Sequence, residues 1–207
     1  MGLFKAPNVQ KLKDQQDFKG LAKSLCSDDQ AVRSAAAQAI TDLASPDAVP
    51  SILDAVTSRP GDSELDSVGQ ALNGIGQAAA ARLVEIINAG QSERSVVAVA
   101  LLGRMGDQYG LAALRDLIGQ SSGETRAEMT TRSLAALSLG NLGSPAAIDT
   151  VVTLLDDPTP PVRLAAAMAL ENHPDPRAAD ALRRLTSDSD PAVRDQATKA
   201  LAALAKP

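Results

Sequence analysis

The stretch Thr159-Pro-Pro-Val-Arg-Leu-Ala-Ala-Ala-Met-Ala-Leu170 recurs in altered form 31 residues later, as Asp190-Pro-Ala-Val-Arg-Asp-Gln-Ala-Thr-Lys-Ala-Leu201. A third copy is Asp29-Gln-Ala-Val-Arg-Ser-Ala-Ala-Ala-Gln-Ala-Ile40, and weaker copies can be aligned at Leu72, Leu102 and Leu139. The aligned units are anchored at positions 32, 64, 94, 131, 162 and 193, so one long unit interrupts a period of about 31 residues. A fixed period of this length indicates an array of structural repeats.

Each unit contains two helical patterns. In the unit anchored at 162, Ala165, Ala166, Ala169 and Leu170 are spaced as one face of a first helix, and Leu182 and Leu185 belong to a second helix. Ala and Leu dominate, and the aromatic residues are only two Phe and one Tyr, which favours closely packed aliphatic helices. The sequence therefore predicts an all-α fold, a right-handed α-solenoid of antiparallel helix pairs.

The predicted organisation is one repeat array over residues 1–207. Residues 1–28 form an N-terminal cap with an orphan second helix, residues 29–190 form five helix pairs, and residues 191–207 form a C-terminal capping helix. The extra length of the long unit lies near Gly119–Glu128, and its polar Gly/Ser part, residues 119–124, is predicted to be the most mobile internal segment.

Charge and composition limit the classes of partner. The formal net charge is −5 and the sequence pI is about 4.9, which disfavours nucleic acid as a partner. No apolar run reaches the roughly 20 residues that span a bilayer, and the single Cys26 rules out an internal disulfide. We expect a soluble, cytoplasmic protein that binds neither nucleic acid nor the membrane interior.

The Val-Arg pairs at 32/33, 162/163 and 193/194, with Asp-Pro-Arg-Ala at 175–178, resemble the bacterial and archaeal HEAT-like repeats grouped with phycobilisome lyases. Residues 3–12 are similar to the N-terminal cap of small stand-alone members of that group. The resemblance implies a HEAT or armadillo-like superhelix whose second helices line a concave wall. The units anchored at 64 and 94 depart from the motif, so their register is less well defined.

Catalytic signals are weak. Deoxyhypusine hydroxylase, a di-iron HEAT-repeat enzyme, requires several His-Glu pairs, whereas this chain has only His173, predicted to be partly packed at the end of a first helix. Cys26 is predicted to face solvent on a second helix and to lack an activating base. The sequence predicts no catalytic residue, no cofactor and no metal site.

By resemblance alone, the alternative function is a bilin lyase or isomerase-like subunit that handles a tetrapyrrole on a phycobiliprotein.

Charged residues recur at equivalent positions of the repeats. Some are predicted to form a structural ladder of charge-assisted hydrogen bonds between neighbouring repeats: Arg33, Arg132, Arg163, Arg194, Asp107 and Asp175. An anion-binding row is the alternative role for these arginines. Others are predicted to be exposed on the concave second-helix face and to bind a protein partner of unknown identity: Lys19, Lys23, Asp54, Glu85, Arg115, Asp116, Asp149, Arg183 and Arg184. The leading prediction is thus a non-catalytic scaffold or adaptor.

Overall fold

The computed structural model describes residues 8–58, 62–90, 93–120 and 125–205. The chain divides into two compact units, Met1–Met105 and Gly106–Pro207, which we call unit 1 and unit 2. Every regular element among the described residues is helical, which confirms the all-α prediction. No described helix is long and apolar enough to cross a membrane.

Unit 1 is built from helices that pack on their neighbours in the chain. First helices stack on one another, α3 on α5 and α5 on α7, while α2 packs against both α3 and α4, and α6 packs against α7. The helices are α1 (Val9–Asp14), α2 (Phe18–Leu25), α3 (Gln30–Leu43), α4 (Ala48–Thr57), α5 (Asp62–Ile75), α6 (Gln77–Ala89) and α7 (Glu93–Arg104).

Unit 2 repeats this arrangement. The first helices α9, α11 and α13 stack in that order, α8 and α10 pack against α9, and α12 packs against α13. The helices are α8 (Ala112–Gln120), α9 (Arg126–Leu142), α10 (Pro145–Thr153), α11 (Pro160–Asn172), α12 (Ala179–Leu185) and α13 (Pro191–Leu204). A π-helical turn, Asp107–Leu111, precedes α8, and 3-10 turns follow α10 at Leu154–Asp156 and precede α12 at Pro176–Ala178.

Side chains at the helix starts explain where the elements begin. The carboxylate of Asp190 accepts hydrogen bonds from the backbone N–H groups of Ala192 and Val193, and Pro191 occupies the first turn of α13. Thr125 and Glu128 form a reciprocal capping box that starts α9. Because these caps satisfy N–H groups that have no partner within the helix, they fix the boundary of each helix.

Small residues let the first helices approach closely. Ala165, Ala166 and Ala169 of α11 are buried, and a methyl group added at Gly140 of α9 would lie 2.4 Å from Cβ of Ala169. The core beside them is aliphatic, with Leu139 and Leu170 fully buried. Close helix contact therefore depends on Gly and Ala at facing positions.

Two residues differ from the sequence-based expectations. Cys26, predicted to face solvent, is only 5% exposed, because it caps the C-terminus of α2, which is covered by both α3 and α4. His173 does end a first helix, as the C-cap of α11, but its side chain is exposed rather than partly packed. The predicted mobile segment at residues 119–124 lies mostly outside the described residues, which resume at position 125.

Candidate protein-binding surface and the arginine ladder

Three of the four ladder arginines share one local geometry. Nη1 of Arg163 donates to the carbonyl oxygens of Asp157 and Pro158, at 2.8 and 3.1 Å. Arg194 makes the same two contacts with the carbonyls of Asp188 and Ser189. Each guanidinium therefore donates hydrogen bonds to two backbone carbonyl groups of the loop that precedes its own helix.

Arg33 repeats this contact in unit 1, where Nη1 donates to the carbonyl oxygens of Ser27 and Asp28 at 2.7 and 3.0 Å. Arginine suits the position because its Nη1 atom carries two hydrogens and can donate to two carbonyl oxygens at once. The recurrence of one contact in three repeats explains why the Val-Arg pair recurs in the sequence.

Arg163 also reaches the following repeat. Its Nε and Nη2 atoms each donate to one carboxylate oxygen of Asp188, both at 2.8 Å, which is a bidentate ion pair. The side chains are 13% and 6% exposed. The hydrogen bond from Arg163 holds the pKa of Asp188 below its usual range, against the opposing effect of burial. This pair ties the start of α11 to the loop after α12.

Arg132 of α9 makes the equivalent contact one repeat earlier. Its guanidinium forms an ion pair with Asp157, whose side chain is 2% exposed. Asp157 also accepts hydrogen bonds from the backbone N–H and the hydroxyl of Thr159, at 2.9 and 2.6 Å. Both oxygens of this carboxylate are therefore engaged in contacts within the protein.

The two predicted ladder acids lie elsewhere. Asp107 accepts a hydrogen bond from the hydroxyl of Ser144 at 2.7 Å, and Asp175 accepts from the backbone and guanidinium of Arg177. Neither contacts a ladder arginine within the described part of the chain. The acids that do so, Asp157 and Asp188, were missed. Their signal is an aspartate 25 residues after the arginine and six before the next Val-Arg arginine.

The Arg163–Asp188 pair gives a pH-dependent prediction. Because the folded pKa of Asp188 lies below its unfolded value, its stabilisation is present above about pH 4 and disappears as pH falls through the folded pKa. We expect Asp188→Asn to lower the free energy of unfolding by about 2 kcal/mol at pH 7, since Arg163 loses a charged partner. Urea unfolding at several pH values should show the difference shrinking below about pH 4.

Asp195 provides the matched control because it lies one turn into α13 with an exposed side chain. Asp195→Asn should change stability by less than about 0.5 kcal/mol at either pH. If Asp188→Asn lowered the free energy of unfolding by the same amount at pH 3 and at pH 7, the stabilisation could not come from the ionised carboxylate.

The nine residues predicted to bind a partner are all exposed, and we call them the second-helix surface of their unit. In unit 1 they lie on α2, α4 and α6, and in unit 2 on α8, α10 and α12. The unit 1 members are Lys19, Lys23, Asp54 and Glu85, and the unit 2 members are Arg115, Asp116, Asp149, Arg183 and Arg184.

In unit 2, most of these charges contact the neighbouring repeat. Asp149 of α10 pairs with Arg177, and Arg184 of α12 pairs with Asp156 at 2.8 Å. The side chains of these two pairs are 54% to 67% exposed, so water screens each pair and its contribution to stability is small. Acidic residues of one repeat thus lie beside basic residues of the next, and water or a partner can replace either contact.

Two further arginines on this surface of unit 2 have local contacts. Arg183 pairs with Asp180 within α12. Arg115 of α8 donates to the hydroxyl of Thr150 and to the carbonyl of Ala146, both at 2.7 Å. Arg115 therefore links two successive second helices by uncharged acceptors, which leaves its positive charge uncompensated by that contact.

The surface of unit 1 is similarly mixed. Glu85 pairs with Arg82 at 2.6 Å, and Asp54 pairs with Arg94 at 3.1 Å. Lys19 and Lys23, one turn apart on α2, make no ion pair within the described residues. Like charges at this spacing repel each other on a helix, so an anionic group would be favoured beside them.

Nothing in the described residues resembles a metal centre. No three His, Cys, Asp or Glu side chains among them are arranged to hold a metal ion. The exposed His173 ring lies against Gly143, where an added methyl group would be 3.0 Å from its Cε1 atom. The geometry that the chain does present is a set of exposed, weakly paired charges on short helices.

Comparison with solved structures gives distant likenesses. A designed armadillo repeat protein in complex with the peptide (KR)4 is 20% identical, with 95% of this chain and 85% of that chain covered and a TM-score of 0.45. Human deoxyhypusine hydroxylase is 19% identical, with 95% and 76% covered and a TM-score of 0.48. A computationally designed armadillo repeat protein for modular peptide recognition is 20% identical, with 94% and 85% covered and a TM-score of 0.39. None of the curated proteins matches the chain.

The family comparison is more direct. The model for HEAT repeats matches residues 80–171 and 127–202, which together make up more than half of the sequence. The matched residues include the Val-Arg pairs at 162 and 193 and the two covered ion pairs, Arg132–Asp157 and Arg163–Asp188. The chain belongs to the HEAT-repeat family.

Proposed function

We propose that this protein is a non-catalytic scaffold or adaptor that binds another protein through its second-helix surfaces. The observation that carries the proposal is that all nine residues selected from the repeat pattern are exposed and charged. Repeat proteins commonly use such surfaces for extended partners, because each repeat offers a similar set of contacts.

The exposure of the charge pairs supports this role. Asp149–Arg177 and Arg184–Asp156 are more than half exposed, whereas the Arg163–Asp188 pair is almost covered. An exposed pair costs little to open, so a partner can exchange its own charges for the internal ones. A covered pair cannot be opened in this way without loss of stability. We therefore assign the exposed pairs to recognition and the covered pairs to folding.

Substitutions at the exposed ion pairs test their role in recognition. With a partner isolated by affinity purification from the native cell, Arg183→Glu with Arg184→Glu should lower affinity at least about tenfold at low salt, and less at high salt. The melting temperature should change by no more than about 3 °C, because only exposed pairs are lost. Fluorescence titration and thermal denaturation measure the two quantities.

A charge swap separates recognition from the internal pair. Asp156→Arg with Arg184→Glu rebuilds the ion pair with reversed polarity, so stability is kept while the charges offered to a partner are exchanged. Reduced affinity in this variant would assign the effect to recognition. Lys199→Glu, on the exposed side of α13, is the control for net charge. Unchanged affinity in both arginine variants would remove α12 from the proposed site.

The resemblance of the Val-Arg phrases to phycobilisome-lyase-type repeats carries a second candidate, a subunit that handles a bilin. Titration with free bilin distinguishes the two functions. A shifted visible absorption band would favour bilin handling, and an unshifted band together with a defined protein partner would favour the adaptor.

A further inference from the structure

The N-terminal helix α1 differs from the other helices of unit 1 in how little of it is buried. None of its six residues is buried, whereas α2 buries four of its eight. Helices with few buried apolar groups open at low free energy. The stability of α1 must therefore come from a small number of specific contacts with α2 and α3.

One contact is a fit between Leu12 and Gly20. A Cβ atom at position 20 would lie 2.6 Å from Oδ2 of Asp17, the N-cap of α2, and 2.7 Å from Cδ2 of Leu12, so Leu12 packs over a position where α2 carries no side chain. Glycine inside a helix costs roughly 1 kcal/mol relative to alanine. The helix α2 thus carries a destabilising residue at the point where α1 rests on it.

The other contact is an ion pair with α3. Nζ of Lys13 lies 2.5 Å from Oδ2 of Asp42, and the two side chains are 28% and 39% exposed. The hydrogen bonds from Lys13 and Gln38 lower the pKa of Asp42. Because the pair is accessible to solvent, it can be opened without moving α3.

The turn that joins α1 to α2 is short and strained. Gln16 adopts a left-handed conformation with φ of 50°, which is unfavourable for a residue other than glycine. The turn is closed by hydrogen bonds from the amide of Gln16 to the carbonyl of Lys13 and from that of Asp17 to Leu12. Opening the turn releases this strain, so the hinge favours undocking of α1 as one piece.

We propose that α1 is a lid that opens as a unit while α2 and α3 remain folded. Its opening exposes the surface of α2 at Gly20 and the carboxylate of Asp42, which α1 covers through Leu12 and Lys13. This device lies outside the second-helix surface proposed for partner binding, and its failure would leave that proposal untouched.

Hydrogen exchange on the full chain tests the lid. The amides of Leu12, Gln15 and Asp17 should exchange at least about 100-fold faster than those of Ala36 and Ile40 in α3. Equal rates in α1 and α3 would show that α1 opens only on global unfolding and would overturn the proposal.

Variants assign the closing contacts. Leu12→Ala should speed exchange in α1 about tenfold and Asp42→Asn about threefold, with rates in α3 and the melting temperature unchanged. Gly20→Ala should also speed exchange in α1, because the added methyl group would crowd Leu12 Cδ2 and the capping carboxylate of Asp17, both within 2.7 Å. Gln10→Ala, on the exposed side of α1, is the control. Rates in α1 that are unaffected by Leu12→Ala, or that rise equally in α3, would contradict a lid held by these contacts.

Discussion

Ala169→Asp should lower the free energy of unfolding of this protein by about 4 kcal/mol, the largest effect we expect from a single substitution. Ala169 is 3% exposed, and its Cβ lies against Gly140 of the neighbouring first helix. A carboxylate there would lose its hydration without gaining a cation or a donor. Thermal denaturation should show a fall in melting temperature of at least about 10 °C.

Lys199→Asp is the matched control. Lys199 lies on α13, one repeat after Met168, and its side chain is exposed. The same carboxylate introduced there keeps its water, so the melting temperature should change by less than about 3 °C. Similar melting temperatures for the two variants would show that the buried face of the first helices has been assigned wrongly.

Gly140→Ala should destabilise the protein by about 2 kcal/mol, although alanine is the better helix former by about 1 kcal/mol. The new methyl group would lie 2.4 Å from Cβ and 3.1 Å from Cα of Ala169. Both atoms are fixed to the backbone and cannot rotate away, so α9 and α11 would have to separate. Urea unfolding measures the change.

Gly119→Ala should have the opposite effect, a gain in stability. Gly119 lies within α8, and an added methyl group meets no atom of the described residues within 4 Å. Alanine should therefore stabilise the protein by about 0.5 kcal/mol.

Combining Gly140→Ala with Ala169→Gly moves the methyl group across the contact and should recover most of the lost stability. No recovery in that double variant would contradict a direct clash between the two residues.

The repeat pattern was sufficient to predict the helices because it depends on local spacing. The Val-Arg phrase, the small residues after it and the capping residues before it each act within a few residues. The all-α fold and the exposure of the second-helix residues follow from such short-range signals. The match to HEAT repeats confirms the repeat assignment.

The ladder acids required longer-range information. Arg163 meets Asp188 only because the loop after α12 returns to the start of α11, and neither residue's local sequence indicates that meeting. Asp107 and Asp175 recur at turns and seemed equally suitable, yet they bond to Ser144 and Arg177. An aspartate 25 residues after Arg132 and another 25 residues after Arg163 are visible in the sequence, but the meaning of this spacing depends on the length of the intervening turns.

The spacing of apolar residues also did not predict that the C-terminal end of the short helix α2 is buried. Cys26 follows the apolar positions of α2 by one residue, which suggests an exposed place. In the structure α2 packs on two helices at once, so its C-terminal residue is covered from a second direction. The periodicity of an amphipathic helix identifies one buried face, but it does not show whether a second helix covers another side of the same helix.

The central claim, recognition through the second-helix surfaces, is tested most directly by a hydrogen-exchange footprint of the purified partner on the full chain. We expect slower exchange on binding in the second helices, with α8, α10 and α12 the clearest in unit 2, and a footprint that weakens in the Arg183→Glu, Arg184→Glu variant. The exposed sides of α9, α11 and α13 should exchange as in the unbound protein. Protection concentrated on those first helices, with no change in α8, α10 and α12, would contradict it.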